Sequence, residues 1–180
     1  CAGCPIPPRI RAAAARTFTD GAGLFAKVLG TEERSADLLF RVYRYLRFRN
    51  LGDERPFSSL RRSVEHEAFV ALQARDVGIV TPRMRAVATV GDDCFLLAYD
   101  RIQGTDLDQL DRGRVDAALL HRVWQQVALL RKHRIAHRDL RLANVVVDDE
   151  NQPWIIDFGF AEVAASDALL DADIAQVSSS

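Results

Sequence analysis

Within His137 to Asn144 the chain sets an imidazole, the guanidiniums of Arg138 and Arg141, the carboxylate of Asp139 and the carboxamide of Asn144, then runs into valines at Val145 to Val147. Further on, "PWIIDFG" carries a second carboxylate, Asp157, between an apolar run and a glycine. A carboxylate can accept a proton, and carboxylate and carboxamide oxygens suit a hard cation. "NVVV" and "PWIID" read as two short strands separated by the polar turn "DDENQ", a hairpin that would fix Asn144 opposite Asp157. Asp139 and Asp157 would then converge as like charges, an arrangement that makes sense with a cation present.

Together "HRDLRLAN" and "IIDFG" resemble the catalytic loop and the metal-binding Asp-Phe-Gly of the protein-kinase-like superfamily. Chance is a poor rival, at about 10⁻¹⁰ per start position for residues specified at roughly one in twenty each. The resemblance implies an ATP- and Mg²⁺-dependent phosphotransferase acting on a hydroxyl acceptor. In such an enzyme Asp139 accepts the proton of the attacking hydroxyl, Arg141 sits near the transferred phosphate, and Asn144 and Asp157 hold the metal.

The same resemblance supplies an ATP site. Lys27 in "LFAKV" looks like the strand lysine that grips the phosphates, and Glu67 in "VEHEAFVAL" looks like its partner on the following helix. Glu65 competes for that role; two positions away on a helix it points to a different side, so only one of the two can face Lys27, and Glu67 is the one the resemblance is read to favour. "FLLAYDRIQG" is similar to the hinge, where backbone groups of Asp100 and Ile102 would bond the adenine edge. His137 is expected to brace the loop from beneath, and Arg138 to pair with a carboxylate rather than receive a phosphorylated loop.

The elements that must position these groups follow from periodicity. "ARTFTDGAGLFAKVLG" predicts two strands around a Gly-rich turn at Gly21 to Gly23, with Lys27 in the second. Apolar Leu39, Val42, Tyr43 and Leu46 recur at helical spacing in a basic amphipathic helix over 31–49. A second helix is expected from about Ser59 to Ala74, then strands near Arg85 to Val90 and Phe95 to Tyr99, then the linker "DRIQG" and a short helical piece. Leu120, Val123, Trp124, Val127 and Leu130 form the apolar stripe of a third helix, with Asp116 as its N-cap. The tail from Ser166 reads as helical.

The implied fold is α+β and two-lobed. It has a cut or flexible start over 1–16 and a small antiparallel-sheet lobe over 17–99 that contains the basic helix. A hinge follows at 100–104, then a short, mainly helical lobe over 105–180, the whole expected to be a truncated piece of something longer. Twenty-four Lys and Arg against 25 Asp and Glu leave a formal charge of −1, with no electrostatic footprint of a nucleic-acid binder. Three cysteines close no disulfide framework, "CAGC" lacks a second ligand pair, and His66, His121 and His133 have no partner at ligand spacing.

Two features depart from ordinary protein kinases. No G-x-G-x-x-G precedes Lys27 at the usual distance, and no A-P-E follows Phe160. The compact second lobe is similar to RIO-like and lipopolysaccharide kinases and to aminoglycoside or choline phosphotransferases, and "HRD" rather than "HGD" leans towards the protein and lipopolysaccharide kinases. "RSADLLFRVYRYLRFR", "DERPFSSL" and "HRDLRLANV" look most like the kinase-like module attached to lysylphosphatidylglycerol-synthetase-type membrane proteins. That implies a protein, sugar or lipid hydroxyl as acceptor, an attached membrane domain as partner, and a place in the cytoplasm or at the inner face of a membrane. The rival expectation is a pseudokinase, a nucleotide-sensing module that regulates the membrane protein.

Overall fold

The computed structural model describes residues 14–17, 23–30, 60–89 and 94–179. The basic helix expected over 31–49, the turn residue Gly21 and the cysteines Cys1 and Cys4 lie outside the described residues. The fold is α+β, as the motifs implied, and divides into two compact units, Cys1–Ala68 with Met84–Arg101, and Phe69–Arg83 with Ile102–Ser180.

The first unit is built on an antiparallel sheet of β1 (Ala14–Thr17), β2 (Gly23–Gly30), β3 (Met84–Thr89) and β4 (Cys94–Asp100), in the order β1-β2-β4-β3. Side chains alternate across a strand. In β2 this puts Lys27 and Leu29 on one face, and the register pairs Lys27 with Leu97 and Leu29 with Phe95. Helix α1 (Leu60–Asp76) lays Val64 and Ala68 against that face, where they pack with Leu97, which is 0% exposed, and with Leu29, Met84, Phe95 and Tyr99. Each large apolar side chain removed from water here stabilises the unit by about 2 kcal/mol.

Helix α1 ends in a glycine cap. Gly78 takes φ 94°, and the N–H of Ile79 reaches back to the carbonyl of Ala74 at 2.9 Å. The stretch Phe69–Arg83 groups with the second unit. Hydrogen bonds explain this. Val80 donates to Gln126 Oε1 at 2.8 Å, and its carbonyl accepts from Ile155 N–H at 2.9 Å.

The second unit holds a three-stranded sheet, β5 (Gly104–Asp106), β6 (Val145–Asp148) and β7 (Pro153–Ile155), in that order. Pro153, which has no N–H to donate, sits on the edge strand. The polar turn between β6 and β7 is organised by Asp148, which accepts from Glu150 N–H, Gln152 N–H and Trp154 Nε1. Helix α2 (Ala117–Lys132) starts at Asp116, whose carboxylate accepts the Leu119 N–H at 2.7 Å as the sequence predicts.

The apolar stripe of α2 differs from its sequence reading in two residues. Leu119, Val123, Val127 and Leu130 are buried, whereas Leu120 and Trp124 are 44% and 39% exposed. Leu119 faces the cluster of Leu107, Leu110, Val123, Val145 and Val147, which turns Leu120 away from it. "DRIQG" is also less of a linker than expected, because Asp100 closes β4 and Gly104 opens β5. Helix α3 (Asp167–Ser179) completes the unit, with Leu169 and Leu170 against Ala136 and Ala165.

Gly104 carries a close approach of two strands. A Cβ there would meet the carbonyl oxygen of Val147 at 2.5 Å and a methyl of Val146 at 2.8 Å. Gly104→Ala is therefore expected to lower unfolding stability by about 2 kcal/mol, read from the urea midpoint. An unchanged midpoint would contradict the strand packing described.

Candidate active site

The alternation of β2 presents Lys27 to α1. Its Nζ donates to both carboxylate oxygens of Glu67, at 3.1 and 3.0 Å. The Glu67 side chain is 6% exposed and that of Lys27 28%, so the pair is sheltered without being sealed. Glu65, the competing carboxylate, instead bonds Arg61 at 2.7 Å on the exposed side of the helix. Tyr99, which pairs with Phe25 across the sheet, directs its hydroxyl to Glu67 Oε1 at 3.5 Å. Asp100 closes the same strand, its carboxylate bonded to Arg85 Nε at 2.5 Å. The next N–H, that of Arg101, is taken by the Gly23 carbonyl at 2.9 Å. Ile102 begins the second unit's main stretch and is half-buried.

In the second unit, α2 delivers the chain to the polar loop. Asp139 is 6% exposed. Arg141 grips it with a two-pronged fork, Nε to Oδ1 at 2.9 Å and Nη2 to Oδ2 at 3.1 Å. Asn144 donates from Nδ2 to the Asp139 carbonyl at 2.7 Å and to Oδ2 at 3.2 Å. These bonds fix the plane of the carboxylate, and they also turn the amide of Asn144 so that its oxygen end points away from Asp139.

The β6/β7 hairpin sets the second oxygen donor. Val145 pairs with Ile155, and Ile156 N–H donates to the Asn144 carbonyl at 3.0 Å, which brings the ends of the two strands side by side. Asp157 follows in left-handed backbone at φ 63°, exposed, its Oδ1 accepting the Gly159 N–H at 3.4 Å. Among the described residues no three of His, Cys, Asp and Glu gather as a metal-binding set. Mg²⁺ asks for less, since it is commonly held by one or two protein oxygens completed by water and phosphate. Asn144 Oδ1 and the Asp157 carboxylate fit that requirement.

Beneath the loop lies a brace. Asp173 on α3 is 3% exposed, and its two oxygens accept the N–H groups of His137 at 2.6 Å and Arg138 at 2.7 Å. Gln176, one turn later, accepts the Leu140 N–H at 2.7 Å. The ring of His137 is fully buried, tilted against Phe158 at 4.9 Å, with Nε2 2.9 Å from the Ile156 carbonyl. A carbonyl only accepts, so Nε2 carries the proton, and buried Nδ1 has no partner among the described residues. His137 ties the loop to the strand that leads to Asp157. Arg138 holds φ 64°, a conformation that costs a side-chain-bearing residue roughly 1–2 kcal/mol.

The sequence profile of the phosphotransferase enzyme family matches residues 11–167, a span that includes Lys27, Glu67, Asp139, Asn144 and Asp157. The chain belongs to the phosphotransferase enzyme family. No curated protein matches it closely enough to show a relationship.

Sequence reading of this phosphotransferase misses the groups that hold the loop. Asp173 and Gln176 stand three apart, and so on one face of α3, a weak signal in a helix that also carries Asp167, Asp171, Ser178 and Ser179. Glu162, whose Oε2 lies 3.4 Å from Arg138 Nη1, and Tyr99 gave no local signal at all. Burial pushes the Asp173 carboxyl above the usual carboxylate range, against the opposing pull of His137 and Arg138 and of their two N–H donors.

The native state therefore holds the Asp173 proton to higher pH than the unfolded chain does. Its contribution to stability is greatest below the ordinary carboxylate range and declines as pH rises through the raised value. Asp173→Ala would orphan two buried N–H groups, at a cost of about 3 kcal/mol. Urea unfolding of both proteins from pH 4 to 8 should show that loss, and their difference should shrink with rising pH. A difference that grew with pH would contradict the burial argument.

Proposed function

We propose that this phosphotransferase moves the γ-phosphoryl group of ATP, with Mg²⁺, to a hydroxyl acceptor. The observation that carries the reading is Asp139, a nearly buried carboxylate oriented by Arg141 and Asn144 within a loop braced on α3. Asp139 accepts the proton of the acceptor hydroxyl, whose oxygen forms a bond to the γ-phosphorus as the bond to the bridging oxygen of ADP breaks. Lys27, held by Glu67, contributes a fixed positive charge for the nucleotide phosphates, and backbone groups of Asp100 and Ile102 are assigned to the adenine edge. Bound Mg²⁺ would neutralise phosphate charge, and Asn144 and Asp157 would hold it. The N–H groups of Arg141 not engaged by Asp139, on a side chain that is half exposed, would steady the transferred group.

The acceptor is a protein, sugar or lipid hydroxyl. The resemblance to lipopolysaccharide and RIO-like kinases, and to modules attached to lysylphosphatidylglycerol-synthetase-type membrane proteins, favours a cytoplasmic site at the inner face of a membrane. No helix among the described residues is long and apolar enough to cross one. A nucleotide-sensing module is the second reading, and the lack of a G-x-G-x-x-G before Lys27 speaks for it. What supports catalysis is the care with which Asp139 is held, since a sensor needs no base.

ADP release with a panel of protein, sugar and lipid acceptors tests this. Asp139→Asn should lower kcat by about 10²–10⁴-fold while leaving ATP affinity nearly unchanged. Equal turnover in the variant would sink the assignment of the base. MgATP binding without turnover on any acceptor would favour the sensing module.

A further inference from the structure

The base is covered by a donor that is not its substrate. Nε and Nη2 of Arg141 fork onto the two carboxylate oxygens of Asp139 at 2.9 and 3.1 Å, and the Asp139 side chain is 8% exposed. The backbone adds to this, because the Arg141 N–H donates to the Asp139 carbonyl at 2.9 Å and folds the loop back on itself. A base in use needs the opposite arrangement. The acceptor hydroxyl must bring its own proton within hydrogen-bond reach of the same carboxylate.

Arg141 has a second partner open to it. The fork uses one edge of a planar guanidinium, so the N–H groups of the other edge point away from Asp139, on a side chain that is half exposed. A guanidinium edge fits phosphate as well as carboxylate, and a terminal phosphate carries more charge, about −1.5 to −2 against −1. The outward N–H groups give such an anion its first hold, and the stronger attraction turns the fork from Asp139 to the phosphate. Asp139 keeps its plane when the fork turns, because Asn144 Nδ2 donates to its carbonyl at 2.7 Å and to Oδ2 at 3.2 Å.

We propose that Arg141 is a removable cap on the base: Asp139 and the γ-phosphate are alternative partners of one guanidinium, so bound MgATP uncovers Asp139 and the acceptor hydroxyl reaches it only afterwards. Binding is thereby ordered, nucleotide before acceptor. The proposal rests on the phosphotransferase reading of Asp139. It also gives arginine a task that lysine does less well, since an ammonium is a point charge and lacks the flat fork that covers two carboxylate oxygens side by side.

The test uses the full chain. Carbodiimide with glycine ethyl ester amidates the carboxylates it can reach, and peptide mass spectrometry reads Asp139 against exposed Glu150. Arg141→Ala should raise labelling of Asp139 about tenfold or more, because a closed contact of this kind opens only as a minor state. Equal labelling in the two proteins would overturn the cap. A second measurement needs no variant to fold. In the unmutated protein the Arg141 Nε–H resonance, assigned by its loss in Arg141→Lys, should move on binding of Mg²⁺ with a non-hydrolysable ATP analogue and stay in place with MgADP. No movement despite binding, or equal movement with MgADP, would overturn the exchange of partners. If thermal unfolding shows that the analogue does not bind, the phosphotransferase reading fails, while the rise in labelling still upholds the cap.

Discussion

The interaction on which the site depends is the buried carboxylate of Asp173 holding two consecutive backbone N–H groups, those of His137 and Arg138. The two N–H groups belong to consecutive peptide units and share that one carboxylate, and the left-handed backbone of Arg138 then turns the chain towards Asp139. The next residue is Asp139. Its direction is therefore set from below before Arg141 and Asn144 fix it from above. Desolvation opposes the charge of Asp173, while His137, Arg138 and the two donors favour it. The structure tolerates that conflict because an irregular loop has no ladder of its own to satisfy its backbone.

The rest of the machinery is positioned by regular elements. In the first unit the period of a strand puts Lys27 on the face that α1 covers, and the turn of the helix puts Glu67 one position from Ala68, which packs on that face. In the second unit the antiparallel register of β6 and β7 sets the oxygen donors of Asn144 and Asp157 at neighbouring strand ends. Polar chemistry is thus mounted on apolar scaffolding: Leu97 beside Lys27, Val145 after Asn144, Ile155 two residues before Asp157.

How much of this was legible in the sequence depended on range. The loop from His137 to Asn144 and the Asp157 motif are local strings, readable as they stand, and the strands and helices around them announce themselves by period and by caps such as Asp116. Helix geometry established that only one of Glu65 and Glu67 could face Lys27, and the structure decides for Glu67. Asp173, Gln176 and Glu162 were not legible in the same way, because each acts on backbone or charge more than twenty residues away in sequence. Trp124 and Leu120 misled for a different reason. Their spacing fits a stripe shifted by one residue from the true one, and only the position of the Leu107–Val147 cluster decides between them.

The most direct measurement is thermal unfolding with ATP, with and without Mg²⁺, on the native chain and on Asp157→Ala. A ligand that binds only the folded state at a hundred times its Kd stabilises it by about 2.7 kcal/mol, which raises the melting temperature. The native chain should show a rise that requires Mg²⁺ and that Asp157→Ala abolishes. An equal rise without Mg²⁺, or in Asp157→Ala, would contradict the assignment of Asn144 and Asp157 to the metal.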